Sequence, residues 1–247
     1  MFALDAAAHT GVWRSRHPAE KALLSLGLLA CAVILPPWPG AALSGAAAVV
    51  LLVGPARVAP AVVLRAARVP LLFVATSTVP LLVTMPAPAR VTLDPAGPAL
   101  AAQTAGRSVA ALACLLLFSA TTPLSDVLPR LHRLGVPPAV SEVAALTYRM
   151  LFLLMESARA VRAAQAARLG FRTWRAAYRS VAGQAGAVFV RAFDRARRLE
   201  EGLALRGYTG SLAVQVEALP VSPPFVAATV GLVAAIVAAT VLVAPTW

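Results

Sequence analysis

The chain has 247 residues, 60% of them hydrophobic and 13% charged, with a formal net charge of +12 at pH 7 and a mean hydropathy of +0.78. A composition this apolar excludes an ordinary soluble domain and marks an integral membrane protein. The positive charge must therefore be placed relative to the membrane spans before it is read as a nucleic-acid signal. The two cysteines, Cys31 and Cys114, both sit in apolar runs, so neither a disulfide framework nor a cysteine metal site is indicated.

Residues 1–21 form a polar lead ending in Arg14, Arg16, His17, Pro18, Glu20 and Lys21. An acid at Asp5 and the charges before the first apolar run do not fit a secretory leader. Pro18-Ala19-Glu20-Lys21 predicts a helix start, with proline in the first turn and an acid beside the positive end of the dipole. Two apolar runs of 17 residues follow, Ala22–Trp38 and Gly40–Ala56, joined by the uncharged turn Pro36-Pro37-Trp38-Pro39-Gly40. Each lies at the low end for crossing roughly 30 Å of hydrocarbon, and together they predict a hairpin of spans.

Arg57, Arg65 and Arg68 mark a basic connection, and Val69–Met85 predicts a third span kinked at Pro80. Residues 86–98 read as a proline-rich loop. The fourth span must begin near Ala99 to reach sufficient length, which places Arg107 inside it. An arginine there is either functional or snorkels to the nearby interface. The region 121–210 has no clean span and holds fourteen of the 22 Lys+Arg residues. The uncharged run Phe225–Val243, bracketed by Pro224 and Pro245, is the clearest span of all.

Within 121–210, Leu124–Leu134 predicts a short amphipathic helix, broken by Gly135-Val136-Pro137-Pro138. A helix of about 30 residues, some 45 Å long, then runs to Leu169. Its first half, from Val143 to Met155, is apolar, and its second half carries Glu156, Arg159, Arg162, Gln165 and Arg168. The helix should start in or against the membrane and finish in water. The next helix has an apolar stripe at Val181, Ala185, Val188, Ala192, Ala196, Leu199 and Leu203, flanked by Phe189 and Phe193, with Arg191, Arg195 and Arg198 on another face. Both helices end alike. Ala167, Arg168 and Gly170 close the first; Leu205, Arg206 and Gly207 close the second. A glycine just past a helix can take the left-handed conformation that ends it, and an arginine in the last turn faces the exposed carbonyls. Two such ends in the most basic part of a membrane protein suggest more than helix stops.

The motifs His17-Pro18-Ala19-Glu20-Lys21, Thr121-Thr122-Pro123, Leu146-Thr147-Tyr148-Arg149, 164–171 (Ala-Gln-Ala-Ala-Arg-Leu-Gly-Phe) and 204–208 (Ala-Leu-Arg-Gly-Tyr) form an ordered set. With them the chain resembles the transmembrane T component of energy-coupling factor transporters, of the CbiQ type associated with cobalt uptake. The resemblance implies a scaffold that links a substrate-binding membrane S component to two cytosolic ABC-type ATPase subunits. It implies that Ala167, Arg168 and Gly170, and Leu205, Arg206 and Gly207, are the ATPase-coupling ends of two cytoplasmic helices. The intervening Leu169 resembles the cobalt-type variant, and Leu205 stands where the family pattern has alanine.

The fold class expected is an all-α integral membrane protein of the inner (cytoplasmic) cell membrane, with about five transmembrane helices plus long cytoplasmic coupling helices. Its parts are 1–120 with four spans, 121–210 as the coupling-helix region, and 211–247 with the last span. No catalytic residue, metal ligand or cofactor is expected: there is no phosphate-binding G-x-x-x-x-G-K-[ST] loop, Lys21 is the only lysine, and His9, His17 and His132 share no paired spacing. The partners expected are the ATPases, the S component and the lipid bilayer, without nucleic acid.

Other readings stay open. Nickel or a vitamin could be the cargo. Glu142, Glu156, Glu200 and Glu201 could serve an enzyme at the cytoplasmic face, although helix-start charge and pairing with arginines explain them better. Arginines interleaved with Phe171, Trp174 and Tyr178 could bind nucleic acid or anionic lipid.

The charge asymmetry orients the chain, with 1–21, 57–68 and 121–210 in the cytoplasm and the turn at 36–40, the loop at 86–98 and the C-terminus outside. In intact cells, Pro39→Cys and Trp247→Cys are expected to react with a membrane-impermeant thiol reagent and Arg168→Cys to be protected. Labelling of Arg168→Cys from outside overturns this orientation.

Overall fold

The computed structural model describes residues 3–84, 92–93, 96–208 and 219–243. Most of the expected loop at 86–98, including Arg90, and the tail holding Trp247 lie outside them, as do the side chains of residues 132–134. The helices are α1 (Ala3–Thr10), α2 (Pro18–Ile34), α3 (Ala42–Val53), α4 (Pro60–Thr78), α5 (Gly97–Thr121), α6 (Leu124–Val127), α7 (Pro138–Ala167), α8 (Trp174–Ala204) and α9 (Pro223–Val243). Short 3₁₀ turns punctuate them, and a two-residue antiparallel pair, Val83–Thr84 with Thr92–Leu93, is the extended structure among the described residues. The protein is an all-α membrane protein. It divides into two compact units, Met1–Asp126 with Glu217–Trp247, and Val127–Val216.

In the first unit α5 is the central post, packed against α1, α2, α3 and α4, while α9 lies on α2. Its core joins Leu24, Leu28 and Cys31 of α2, Ala48 and Leu52 of α3, Cys114, Leu117 and Ala120 of α5 and Ile236 of α9. Gly45 lets α3 approach α5 closely: a Cβ there would stand 2.9 Å from that of Ala110. In a bilayer, where lipid tails compete with apolar side chains, such small-residue contacts are what let helices pack.

The start of α2 follows the sequence expectation. Pro18 takes the first turn, and His17 caps it, its Nδ1 accepting the Ala19 N–H at 3.1 Å. One turn later the chain's only lysine is 1% exposed. Lys21 Nζ donates to Thr121 O at 2.9 Å and to Trp13 O at 3.2 Å, so a side chain from the beginning of α2 satisfies a carbonyl left open at the end of α5. Arg107, the arginine expected inside a span, does the converse. Its Nη2 donates at 3.0 Å to Leu35 O, the C-cap carbonyl of α2. Lys21 and Leu35 are 14 positions apart, as are Arg107 and Thr121, so two antiparallel helices are clamped at both ends by the same device.

Four helices are long and apolar enough to cross a membrane: Pro60–Leu82 (α4 with the following 3₁₀ turn), α5, α7 and α9. The segment Pro37–Val53 is shorter, and α2 has 17 residues, in keeping with the low-end lengths read from the sequence. Three particulars differ from the sequence reading. The region 121–210 reads as holding no clean span, yet α7 is itself long and apolar enough to cross, because the apolar run from Val143 to Met155 lies within one unbroken helix of 30 residues. The third span begins at Pro60, not Val69, so Arg65 and Arg68 lie in the helix and not in a connection. The break falls earlier because Arg57 takes a left-handed φ of 52° and Pro60 then supplies a helix N1 position. The proline inside this helix is Pro70, while Pro80 lies in the 3₁₀ turn Val79–Leu82. In the second unit α7 and α8 pack together, and the 3₁₀ segment Leu128–Leu134 lies against α7.

The two clamps stand about 21 Å apart at 1.5 Å per residue, far enough to act independently. Lys21→Met is expected to cost about 3 kcal/mol, for two charge-assisted bonds, and Arg107→Met about 1.5 kcal/mol for one. The losses are expected to add in the double variant, read as shifts in the thermal unfolding midpoint in detergent. A double variant no less stable than Lys21→Met alone refutes independent clamps.

Candidate functional site

The residues singled out in the sequence lie at the two ends of one antiparallel helical hairpin. Its corner is held by Ser180 Oγ, which donates to Gly170 O at 2.8 Å. Along the hairpin, Gln184 Nε2 donates to Ala158 O at 3.0 Å and Arg191 Nη1 to Ser157 Oγ at 2.8 Å. At the far end Tyr208 Oη donates to Glu142 Oε1 at 2.8 Å. That hydrogen bond, with smaller effects of desolvation and the Glu142 charge, raises the Tyr208 phenol above its ordinary 10.0. Arg168 therefore closes α7 at the corner, while Arg206 stands beside the start of α7. The 26 residues from Glu142 to Arg168 separate the arginine caps by about 40 Å.

Both ends are the same motif. At the first, Arg168 is the C-cap and the N–H groups of Leu169 and Gly170 turn back to Ala166 O at 3.0 Å and Gln165 O at 2.9 Å. At the second, the N–H groups of Gly207 and Tyr208 turn back to Ala204 O at 3.1 Å and Leu203 O at 3.1 Å. This paired pattern is the Schellman closure, and its left-handed residue follows the cap. Gly207 occupies that position with φ 72°, as expected. Gly170 does not: Leu169 does, with φ 57°. The structural register thus aligns Arg168 with Arg206 and Leu169 with Gly207, correcting the role read for Gly170. Gly170 is a glycine for lack of space, since a Cβ would overlap Ser180 Oγ and stand 2.8 Å from Gln165 O. Ala167, Arg168, Leu205, Arg206 and Gly207 are exposed, Leu205 to 89%, so both caps present a cation and its neighbours to the outside.

The apolar stripe of α8 divides. Val188, Ala192, Leu199 and Leu203 are partly buried, whereas Val181, Phe189 and Phe193 are exposed, with the two phenyl rings stacked at 6.5 Å. Trp174 and Tyr178 are exposed as well, and Phe171 lies 5.6 Å beneath the Arg162 guanidinium. Of the glutamates weighed for an enzyme, Glu142 accepts from Tyr208 and Glu201 pairs with Arg197 at 3.4 Å on exposed surface. Among the described residues no three His, Cys, Asp or Glu side chains come together.

The caps can be tested by their backbones. A non-glycine left-handed residue costs about 1–2 kcal/mol, so Leu169→Gly is expected to be neutral or stabilising and Gly207→Ala to cost about 1 kcal/mol. Gly170→Ala is expected to cost more than Gly207→Ala despite its ordinary φ, because the corner must open. Thermal unfolding midpoints rank the three; a harmless Gly170→Ala would show that the corner does not depend on the close approach.

The profile of the Cobalt transport protein family, CbiQ, matches residues 11–217, a range containing both arginine caps. Over 239 residues the chain is 43% identical to the Cobalt transport protein CbiQ of Rhodobacter capsulatus, covering 97% of this chain and 98% of that protein. It is a multi-pass protein of the cell membrane, and by the extent of both matches it belongs to the CbiQ family of cobalt transport proteins.

Proposed function

We propose that this protein is the T-type coupling subunit of an energy-coupling factor importer, carrying ATP-driven motion of two cytosolic ABC-type ATPases to a substrate-binding membrane S component, with cobalt as cargo. The observation that carries the reading is the repeated cap: two exposed arginines in one motif at opposite ends of a long hairpin. Each cap joins a fixed backbone geometry to a guanidinium that can make planar, two-pronged hydrogen bonds to an acceptor on a partner. Ala167, Arg168 and Gly170 form one docking end, and Leu205, Arg206 and Gly207 the other. Separation by about 40 Å gives each ATPase its own attachment, and the stiffness of α7 and α8 conveys displacement between them. Cobalt is proposed from the name of the R. capsulatus relative and the family, with the ion held by the S component. The chain is organised for this role as a membrane part over 1–120, a coupling region over 121–210 and a closing segment over 211–247.

Arg168→Ala with Arg206→Ala is expected to leave the protein inserted and folded while sharply reducing ATPase co-purification and ⁵⁷Co²⁺ uptake. The charge–dipole interaction at each exposed helix end is worth only about 0.3–1 kcal/mol of stability. At an interface the same truncation costs about 2 kcal/mol or more. Arg→Lys should rescue in part, and alanine at Arg195 and Arg198 should do little. Wild-type ATPase binding and uptake in the double variant would reduce both arginines to helix stops.

A further inference from the structure

The span Pro60–Leu82 carries two charges that no acid of the first unit answers. Arg65 and Arg68 stand five and eight residues past Pro60 in α4, about 8 and 12 Å along its axis. Both are exposed, and among the described residues neither side chain makes a hydrogen bond or ion pair. No acidic residue lies between Glu20 and Asp94 in the sequence. Of the helices packed on α4, α5 contains no acid, and Asp5 of α1 pairs with His9 at 3.7 Å. Arg65 and Arg68 are three positions apart and so share a face. That face continues along the helix as Val69, Leu72 and Phe73, all exposed, Phe73 to 72%. The other side of α4, with Ala67 buried and Val63 and Leu71 against the core, is the one turned to the protein.

We propose that this face of α4 binds one anionic phospholipid, its phosphate held by Arg65 and Arg68 and its acyl chains lying along Val69, Leu72 and Phe73. A charge within a span requires a partner. Two guanidiniums one turn apart can fork onto the oxygens of a single phosphate, and the stripe beyond them offers acyl chains an apolar surface. On the orientation expected above, this is the cytoplasmic end of the span, where the leaflet carries anionic lipid. Snorkelling satisfies one arginine near a helix end; it does not account for a second, a turn deeper, on the same face. A partner's helix is the poorer occupant. Helices associate in a bilayer through small residues, of the kind that line the α3–α5 groove at Ala42, Gly45, Ala46, Gly106 and Ala110. The face on α4 is built instead of branched and aromatic side chains. The site stands whether or not the chain couples to ATPases.

The test takes the full chain in detergent and follows its thermal unfolding midpoint as phosphatidylglycerol, phosphatidylcholine or glycerol 3-phosphate is added, with native mass spectrometry counting the lipid retained. Phosphatidylglycerol is expected to raise the midpoint, since a ligand of the native state stabilises it, and to be retained as a single molecule. The zwitterionic lipid and the chainless phosphate should do neither. Each arginine beside an anionic lipid is worth about fivefold in affinity, so Arg65→Gln with Arg68→Gln should weaken retention about thirtyfold. Arg65→Lys with Arg68→Lys should keep part of it, and Arg195→Gln with Arg198→Gln, which removes the same charge elsewhere, should change nothing. Equal binding of the two lipids by the wild-type chain overturns the proposal, and that comparison decides even if a variant fails to fold. Retention unchanged in the Arg65, Arg68 glutamine pair, or lost equally in the Arg195, Arg198 pair, overturns it too. Glycerol 3-phosphate acting as well as the lipid would mean a bare anion site. A membrane protein lost from the Arg65, Arg68 glutamine pair while lipid stays would mean a helix-docking face. Either result refutes a lipid site.

Discussion

The first unit depends on the way α2 and α5 close each other's ends. A helix leaves its last carbonyls without partners, and in a bilayer there is little water to satisfy them. Lys21 and Arg107 supply donors at the two places where that shortage arises, Thr121 O and Leu35 O. The basic side chains that look out of place in an apolar stretch are thus set by the helices' own chemistry. The clamps also fix register: a slip of either helix by one turn would move both donors away from both carbonyls. Around this pair the other helices pack through small residues, as at Gly45 and Ala110.

The second unit solves a different problem. Its helices expose much of their surface, and a few hydrogen bonds hold them: Ser180 at the corner, Gln184 and Arg191 along the seam, Tyr208 at the open end. A hairpin pinned at intervals is stiff along its axis while its faces stay available. The exposed Phe189, Phe193, Trp174 and Tyr178 belong to a protein whose partners complete it, in keeping with a component of a membrane transport complex.

Much of this was legible in local sequence. Pro18 after His17 foretold the start of α2, the prolines at 137 and 138 foretold that of α7, and the need for length foretold a fourth span beginning near Ala99, two residues from the observed start of α5 at Gly97. These signals act within one or two turns, where steric and capping rules apply directly. What could not be read was nonlocal. That Lys21 meets a carbonyl 100 positions away follows from packing, although a lone lysine at the start of an apolar run was a hint. The start of α4 was missed because Arg65 and Arg68 look like loop residues, whereas their long side chains can lie at the edge of a span. Leu169 was missed for a related reason. Left-handed backbone is assigned by habit to the nearest glycine, and Gly170 is needed for a different purpose, the approach of Ser180.

The antiparallel course of α7 and α8 has a consequence for symmetry. Two helices running in opposite directions are related by a rotation of about 180° across their common seam, so their C-terminal caps are related in the same way. The hairpin thereby carries a matched pair of ends, with Arg168 at one and Arg206 at the other. The match is imperfect: Leu169 faces Gly207 across the rotation, and one end is closed by the short corner at 170–173 while the other leads on to the segment before α9. Under the coupling role proposed above, two partner subunits docked on these ends would therefore meet unequal footings.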